Sequence, residues 1–193
     1  MKFQIDGCPV PIYQDEGEFN HLLDLVKSNQ PKRILEIGSL YGGTLWYWMN
    51  ASKGAEILSV DIGIPNYADV EYARLNLWNK WADATGCILN QIRNDSRKAE
   101  IIEMVKGRSP FDFVFIDGDH SANAAMTDWQ NYWPMLRTGG FLAFHDIAYP
   151  DVNSEGVGVG IVWREVRNNG KWQEFIREPN PKQTMGIGVM WKE

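Results

Sequence analysis

Cysteine is scarce in this chain: Cys8 and Cys87 are the whole supply in 193 residues. Two thiols do not make a disulfide scaffold, so free buried thiols in a reducing compartment are expected. Positive charge is short as well. Lys and Arg total 19 against 25 Asp and Glu, a net charge of −6. No long basic run stands out, so nucleic acid is not an expected partner. No run of about 18 apolar residues exists, so no membrane contact is expected. Met1-Lys2 leads into Phe3-Gln4-Ile5-Asp6, not into the apolar core of a signal peptide. A cytoplasmic location follows as the expectation. Internal repeats and low-complexity tracts are missing too. What is plentiful is aromatic side chain, including nine Trp. A substantial core can be built from these, and the length fits one domain spanning 1–193.

Residues 34–44, Ile-Leu-Glu-Ile-Gly-Ser-Leu-Tyr-Gly-Gly-Thr, organise the rest. The apolar run 33–37 predicts a buried strand, glycines follow at 38, 42 and 43, and a helical pattern starts near Thr44. Strand, glycine turn and helix bring backbone N–H groups and a helix N-terminus against a ligand. The spacing is G-x-x-x-G-G, not the G-x-G-x-x-G of dinucleotide enzymes. Glu36, two positions before the first glycine, would repel a pyrophosphate and suit a cationic ligand.

Around this stretch the pattern alternates strand and helix. Residues 1–14, with Phe3, Ile5, Pro9 and Pro11, read as an arm or short hairpin. A helix over about 16–28 has Asp15 as its N-cap, with His21 on its surface. Strand two is 56–61, ending in Asp61. The stripe Tyr72, Leu75, Trp78 and Trp81 predicts a helix over 69–83 packed on a sheet. Strand three is 86–92, and Ser96 is placed to cap the next helix. A continuous apolar strand over 111–116 ends in Asp117-Gly118-Asp119-His120. The following helix has a packing face from Ala124 to Leu136, with Gly139 and Gly140 just past its end. Strand five, 141–144, delivers His145-Asp146. Residues 147–160 form either a mobile lid or a plain surface loop. A helix over 161–167 and two strands, 171–177 and 184–191, close the chain. Two strands that both end in ionisable residues point to a site, because ligands bind at the carboxyl ends of open α/β sheets.

Taken together, E-I-G-S-L-Y-G-G-T, S-V-D-I, N-D-S, F-V-F-I-D-G-D-H and G-G-F-L-A-F-H-D resemble a class I S-adenosylmethionine-dependent methyltransferase over roughly residues 30–146. The last two motifs are similar to those of small-molecule O-methyltransferases, the catechol-type and cephalosporin-hydroxylase-like groups. The resemblance implies an α/β Rossmann-like, doubly wound seven-stranded sheet, order 3-2-1-4-5-7-6 with strand 7 antiparallel. It implies S-adenosylmethionine as cofactor, with Glu36, Gly38, Ser39, Gly42 and Gly43 around its methionine part. Asp61 would take the ribose, Asp95 and Ser96 would lie near the adenine, and Asp117 would also face the cofactor. A plain N-cap at Asp95-Ser96 would give the same sequence.

In catechol-type enzymes a D-x-x-K segment supplies a metal ligand and a lysine base. Here Asp117 matches the ligand and His120 stands at the base. Where that family has Asp-Asn, this chain has His145-Asp146. The resemblance therefore implies a Mg²⁺ or another divalent ion at Asp117, His145 and Asp146, with His120 as base. The other arrangement has His145 as base and no metal. Asp119 orients His120 or caps the next helix. The implied partner is a small hydroxylated acceptor, its identity undetermined, and the oligomeric state is open, a homodimer included. An NAD(P)-dependent oxidoreductase and a non-catalytic nucleotide-binding relative are the competing readings.

Overall fold

The computed structural model describes residues 7–64, 68–148, 156–177 and 185–193. Seven strands form one sheet: β1 (Arg33–Ile37), β2 (Glu56–Asp61), β3 (Ile88–Arg93), β4 (Phe111–Ile116), β5 (Leu136–His145), β6 (Lys171–Phe175) and β7 (Ile187–Trp191). Their order is β3-β2-β1-β4-β5-β7-β6. β1 pairs in parallel with both β2 and β4, and β7 is antiparallel to β5 and β6. The expected order and the antiparallel last strand are both present. The order reverses between β1 and β4, and a crevice opens where a sheet reverses in this way.

Among the described residues six helices cover the sheet: α1 (Glu16–Asn29), α2 (Gly43–Ala51), α3 (Ala68–Thr85), α4 (Ala99–Lys106), α5 (Ala122–Tyr132) and α6 (Val159–Val166). Strand side chains alternate between two cores. Ile34, Ile57, Phe113 and Phe115 pack with α1, α2 and α3, whereas Leu35, Leu58, Val114 and Ile116 pack with α4, α5 and α6. That two-sided burial is why the central strands read as unbroken apolar runs.

Asp15 caps α1 as expected, accepting from the N–H groups of Gly17 and Glu18. Several local expectations are corrected. Ser96 does not cap α4. That helix begins three residues later, after Lys98, and the Ser96 hydroxyl donates to Asp128 at 2.7 Å. Tyr72 does not join the packing stripe of α3; it is 72% exposed, while Trp78 is buried. The helix before β5 stops at Tyr132, followed by a single 3₁₀ turn containing Pro134, whose missing N–H prevents continuation. Leu136 is therefore the first residue of β5, not the last of a helix. Gly139 and Gly140 lie within that strand, at a register shift opposite Phe111–Phe113. A Cβ on Gly140 would meet the Asp112 carbonyl at 2.8 Å. Half of the candidate lid, 149–155, lies outside the described residues, as do Phe3 and Ile5.

Candidate functional site

A cleft of about 710 Å³ opens at the carboxyl ends of β1, β2, β4 and β5. Such a volume suits a drug-sized ligand. The glycine turn forms one wall. Gly38 has φ 83° and would bring a Cβ to within 2.2 Å of the Asp117 carbonyl oxygen, so only glycine lets the β1 and β4 ends meet. Gly42, also at φ 83°, stands against the Trp78 ring and does not line the cleft. Gly43 opens α2, whose N-terminus has no side-chain cap. The positive end of the helix thus lies beside the lining residues Gly43 and Thr44.

Glu36 is placed differently from the expectation of direct ligand contact. It is 0% exposed and does not line the cleft. One carboxyl oxygen accepts from the Thr44 hydroxyl at 3.0 Å and the other from the Trp48 indole N–H. Burial pushes its pKa up to about 8. The carboxyl thus fastens α2 to β1 beneath the turn. Asp61 does line the cleft and organises the turn from the other side. Its Oδ2 accepts from the N–H groups of Ser39 (2.7 Å) and Leu40 (3.0 Å), and its Oδ1 from Gly63 N–H (2.7 Å) and the Arg74 guanidinium (2.9 Å). Four donors fill the capacity of a carboxylate. These bonds outweigh burial and hold its pKa below the usual value. The Ser39 and Ser59 hydroxyls are 2.7 Å apart.

Asp95 and Ser96 line the far end, yet their side chains are committed. Arg97 clamps both Asp95 oxygens, at 2.9 and 3.0 Å, which lowers the Asp95 pKa. Arg97 also reaches Asp119 at 3.2 Å. Asp119 accepts from Ser121 N–H at the start of α5, so it belongs to the helix entry and to Arg97.

At the β4 and β5 ends four titratable side chains meet. His145 is buried, with Nδ1 2.9 Å from Asp117 Oδ1 and 3.5 Å from Asp146 Oδ1. Successive strand residues normally point to opposite faces. The left-handed φ of 64° at Asp146 turns the chain so that both His145 and Asp146 reach the cluster. Burial alone would depress His145, but the Asp117 and Asp146 charges prevail and push its pKa up to about 9. These charges favour the protonated ring. His120, 40% exposed, places Nδ1 against Asp146 Oδ2, with Nε2 3.7 Å from Asp117 Oδ1, beyond hydrogen-bond reach.

Asp117 Oδ2 accepts from Gln14 Nε2 at 2.8 Å. Neither Gln14, Arg74 nor Arg97 was marked as a site residue by the sequence. Gln14 sits in the arm 103 positions before its partner, and no local pattern announces that contact. Among the described residues no three His, Cys, Asp or Glu side chains form a ready metal site. The carboxylates are already paired with imidazoles and Gln14.

A family model described as a methyltransferase domain matches residues 35–147, from β1 to just past the His145-Asp146 pair. The chain belongs to this methyltransferase family. The catechol O-methyltransferase of Mycobacterium tuberculosis (strain ATCC 25618 / H37Rv) is 30% identical over 122 residues, 62% of this chain and 50% of that protein. The chain thus spans about half the length of this curated relative. Among solved structures, the O-methyltransferase TomG from Streptomyces achromogenes, in complex with SAM, superposes with a TM-score of 0.68. It is 18% identical and covers 92% of this chain and 80% of its own. The MycE methyltransferase from the mycinamycin biosynthetic pathway, in complex with Mg and SAH, gives a TM-score of 0.58 at 20% identity, covering 90% of this chain and 48% of its own. At these identities the structural likeness speaks for the methyltransferase fold.

Proposed function

We propose that the protein is an S-adenosylmethionine-dependent O-methyltransferase acting on a small hydroxylated molecule. The observation that carries the reading is one cleft with two unlike ends. At one end an uncapped helix N-terminus and a glycine turn await a ligand with a carboxylate. At the other, His120 stands over Asp117 and Asp146. The family and the relatives named above agree with this chemistry. Nothing in the cleft favours a nicotinamide cofactor over it.

S-adenosylmethionine supplies a methyl group on a sulfonium, a centre that needs only an oxygen nucleophile in line with the C–S bond. The chain's own residues prepare that oxygen. Phenols ionise near pKa ~10 and sugar alcohols higher, so a base is required. Asp146 holds His120 by Nδ1, and Nε2 is the atom that would take the acceptor's hydroxyl proton; against burial, the Asp146 hydrogen bond and the Asp117 and Asp146 charges raise the His120 pKa and so strengthen it as a base. The His145 imidazolium balances Asp117 and Asp146 and keeps both carboxylates from repelling the developing oxyanion. Gly38, Ser39 and Gly43 would flank the methionine part, and Asp61 the ribose, which would compete with Arg74 for Oδ1. Asp95 and Ser96 would bound the adenine end. Glu36 and Gly42 would shape this wall from behind.

Asp117, His145 and Asp146 are the residues that would hold a divalent cation such as Mg²⁺, which would lower the acceptor's pKa, although their present arrangement is not a ready metal site. Because these groups are now paired with one another, such an ion would take the place of the His145 proton.

The experiment is a methyl-transfer assay on phenolic and sugar acceptors, read as S-adenosylhomocysteine formed. His120→Ala is expected to abolish transfer while cofactor affinity is retained. Turnover surviving in that variant would remove His120 as the base. Repeating the assay after chelation, with Mg²⁺ or Mn²⁺ restored, tests the cation.

A further inference from the structure

Gln14 is buried, 1% exposed, yet it lines the cleft. Its bond to Asp117 Oδ2 fixes which end of the amide is the donor. The carbonyl Oε1 is left buried and, among the described residues, without a partner. A buried amide oxygen is ordinarily satisfied, so this one is open to a donor that the described residues do not supply.

The position of Gln14 narrows what that donor is. The arm lies across the glycine turn: a Cβ on Gly43 would meet Pro11 O and Ile12 Cβ at 3.1 Å, and Tyr13 stacks on Tyr41. On the other side Asp15 locks the chain by capping α1. Gln14 is thereby held rigidly where the turn, Asp117 and the cleft meet. In the cofactor reading proposed above, a zwitterionic amino-acid end must be accommodated here. The uncapped α2 N-terminus suits its carboxylate and disfavours its ammonium. Glu36, the acid that the turn motif offers to a cation, is walled off by Thr44 and Trp48. The ammonium therefore needs another acceptor.

We propose that Gln14 is a cofactor-binding residue, its Oε1 accepting a hydrogen bond from the ammonium of the methionine part while its Nε2 anchors Asp117. This rests on the S-adenosylmethionine reading of the cleft. The shared chemistry is a hydrogen-bond donor, which an acceptor hydroxyl also offers, and the test separates the two.

Calorimetric titrations compare S-adenosylhomocysteine with its des-amino analogue, in which hydrogen replaces the ammonium. Gln14→Met, similar in shape but without an acceptor oxygen, is expected to weaken S-adenosylhomocysteine binding about tenfold or more, the scale of a charge-assisted hydrogen bond. It should leave the analogue within about twofold. Retained binding of the analogue also shows that the variant is folded. Gln14→Glu keeps an acceptor oxygen and is expected to keep the preference for the amino form, which covers the case in which Gln14→Met does not fold. Equal loss for both ligands, no loss for either, or loss of preference in Gln14→Glu overturns the proposal. So does unchanged S-adenosylhomocysteine affinity with a raised KM for the acceptor, which would give Oε1 to the acceptor's hydroxyl. Failure of the unsubstituted protein to bind S-adenosylhomocysteine would instead strike the cofactor reading itself.

Discussion

The carboxyl of Glu36 is closed off from the cleft, both oxygens engaged, with burial carrying its pKa up to about 8. At neutral pH most of it is protonated. Glu36→Gln exchanges one neutral group for another of the same shape, so cofactor affinity should stay within about threefold. A loss beyond about tenfold in a calorimetric titration would mean that a charge at Glu36 attracts the ligand after all. At this scale the sequence displayed chemistry well where position alone decides it. Gly38, Asp61, Asp117, His120, His145 and Asp146 all line the cleft because strand ends and the turn put them there. It could not display occupancy. That Arg74 takes Asp61 and that Gln14 takes Asp117 are tertiary contacts between segments with no shared periodicity, and that Arg97 folds back on Asp95 is a choice of side-chain rotamer within one turn.

α2 is seated by Trp48, buried with its ring edge-on to Phe113 and Phe115 at 5.3 and 5.7 Å between centroids. The same ring donates to Glu36. Trp48→Phe would keep much of the packing, leave one Glu36 oxygen unpartnered, and open space. A loss of about 2–4 kcal/mol in urea unfolding is expected. A loss under about 0.5 kcal/mol would show that neither the bond nor the packing holds the helix. Elements bounded by apolar periodicity, such as β1, β2, β4 and α1, were legible to within a residue or two. Boundaries set by competing local signals were not. Pro134 ended α5 before the glycines could, and Ser96, a good cap in isolation, was drawn to Asp128 instead.

For the molecule as a whole, the sheet order was legible through the resemblance to class I methyltransferases, with which the βα alternation and the closing strand pair agree. The buried titratable groups then set its response to pH. Glu36 and Asp128, raised by burial to about 8 and about 6, cost nothing below their ordinary 4.5 and 3.8, destabilise progressively as pH rises from there, and reach their full cost once pH passes the raised values. His145, held up at about 9 by Asp117 and Asp146 despite burial, stabilises fully below its ordinary 6.5 and loses that contribution as pH rises through about 9. Asp61 and Asp95, held low, stabilise above 3.8 and lose it as pH falls below. Thermal melts should thus peak near about pH 4, with Tm falling at least about 5 °C by pH 9. A profile flat from pH 5 to 9 would contradict these placements. The central claim is that the cleft at the β1–β4 switch holds S-adenosylmethionine. Its most direct test is a calorimetric titration of the protein with S-adenosylmethionine and, separately, with NAD and NADP. The account predicts saturable binding of about micromolar Kd for S-adenosylmethionine and no heat with either nicotinamide cofactor. Binding of a nicotinamide cofactor, or of none of the three, would contradict it.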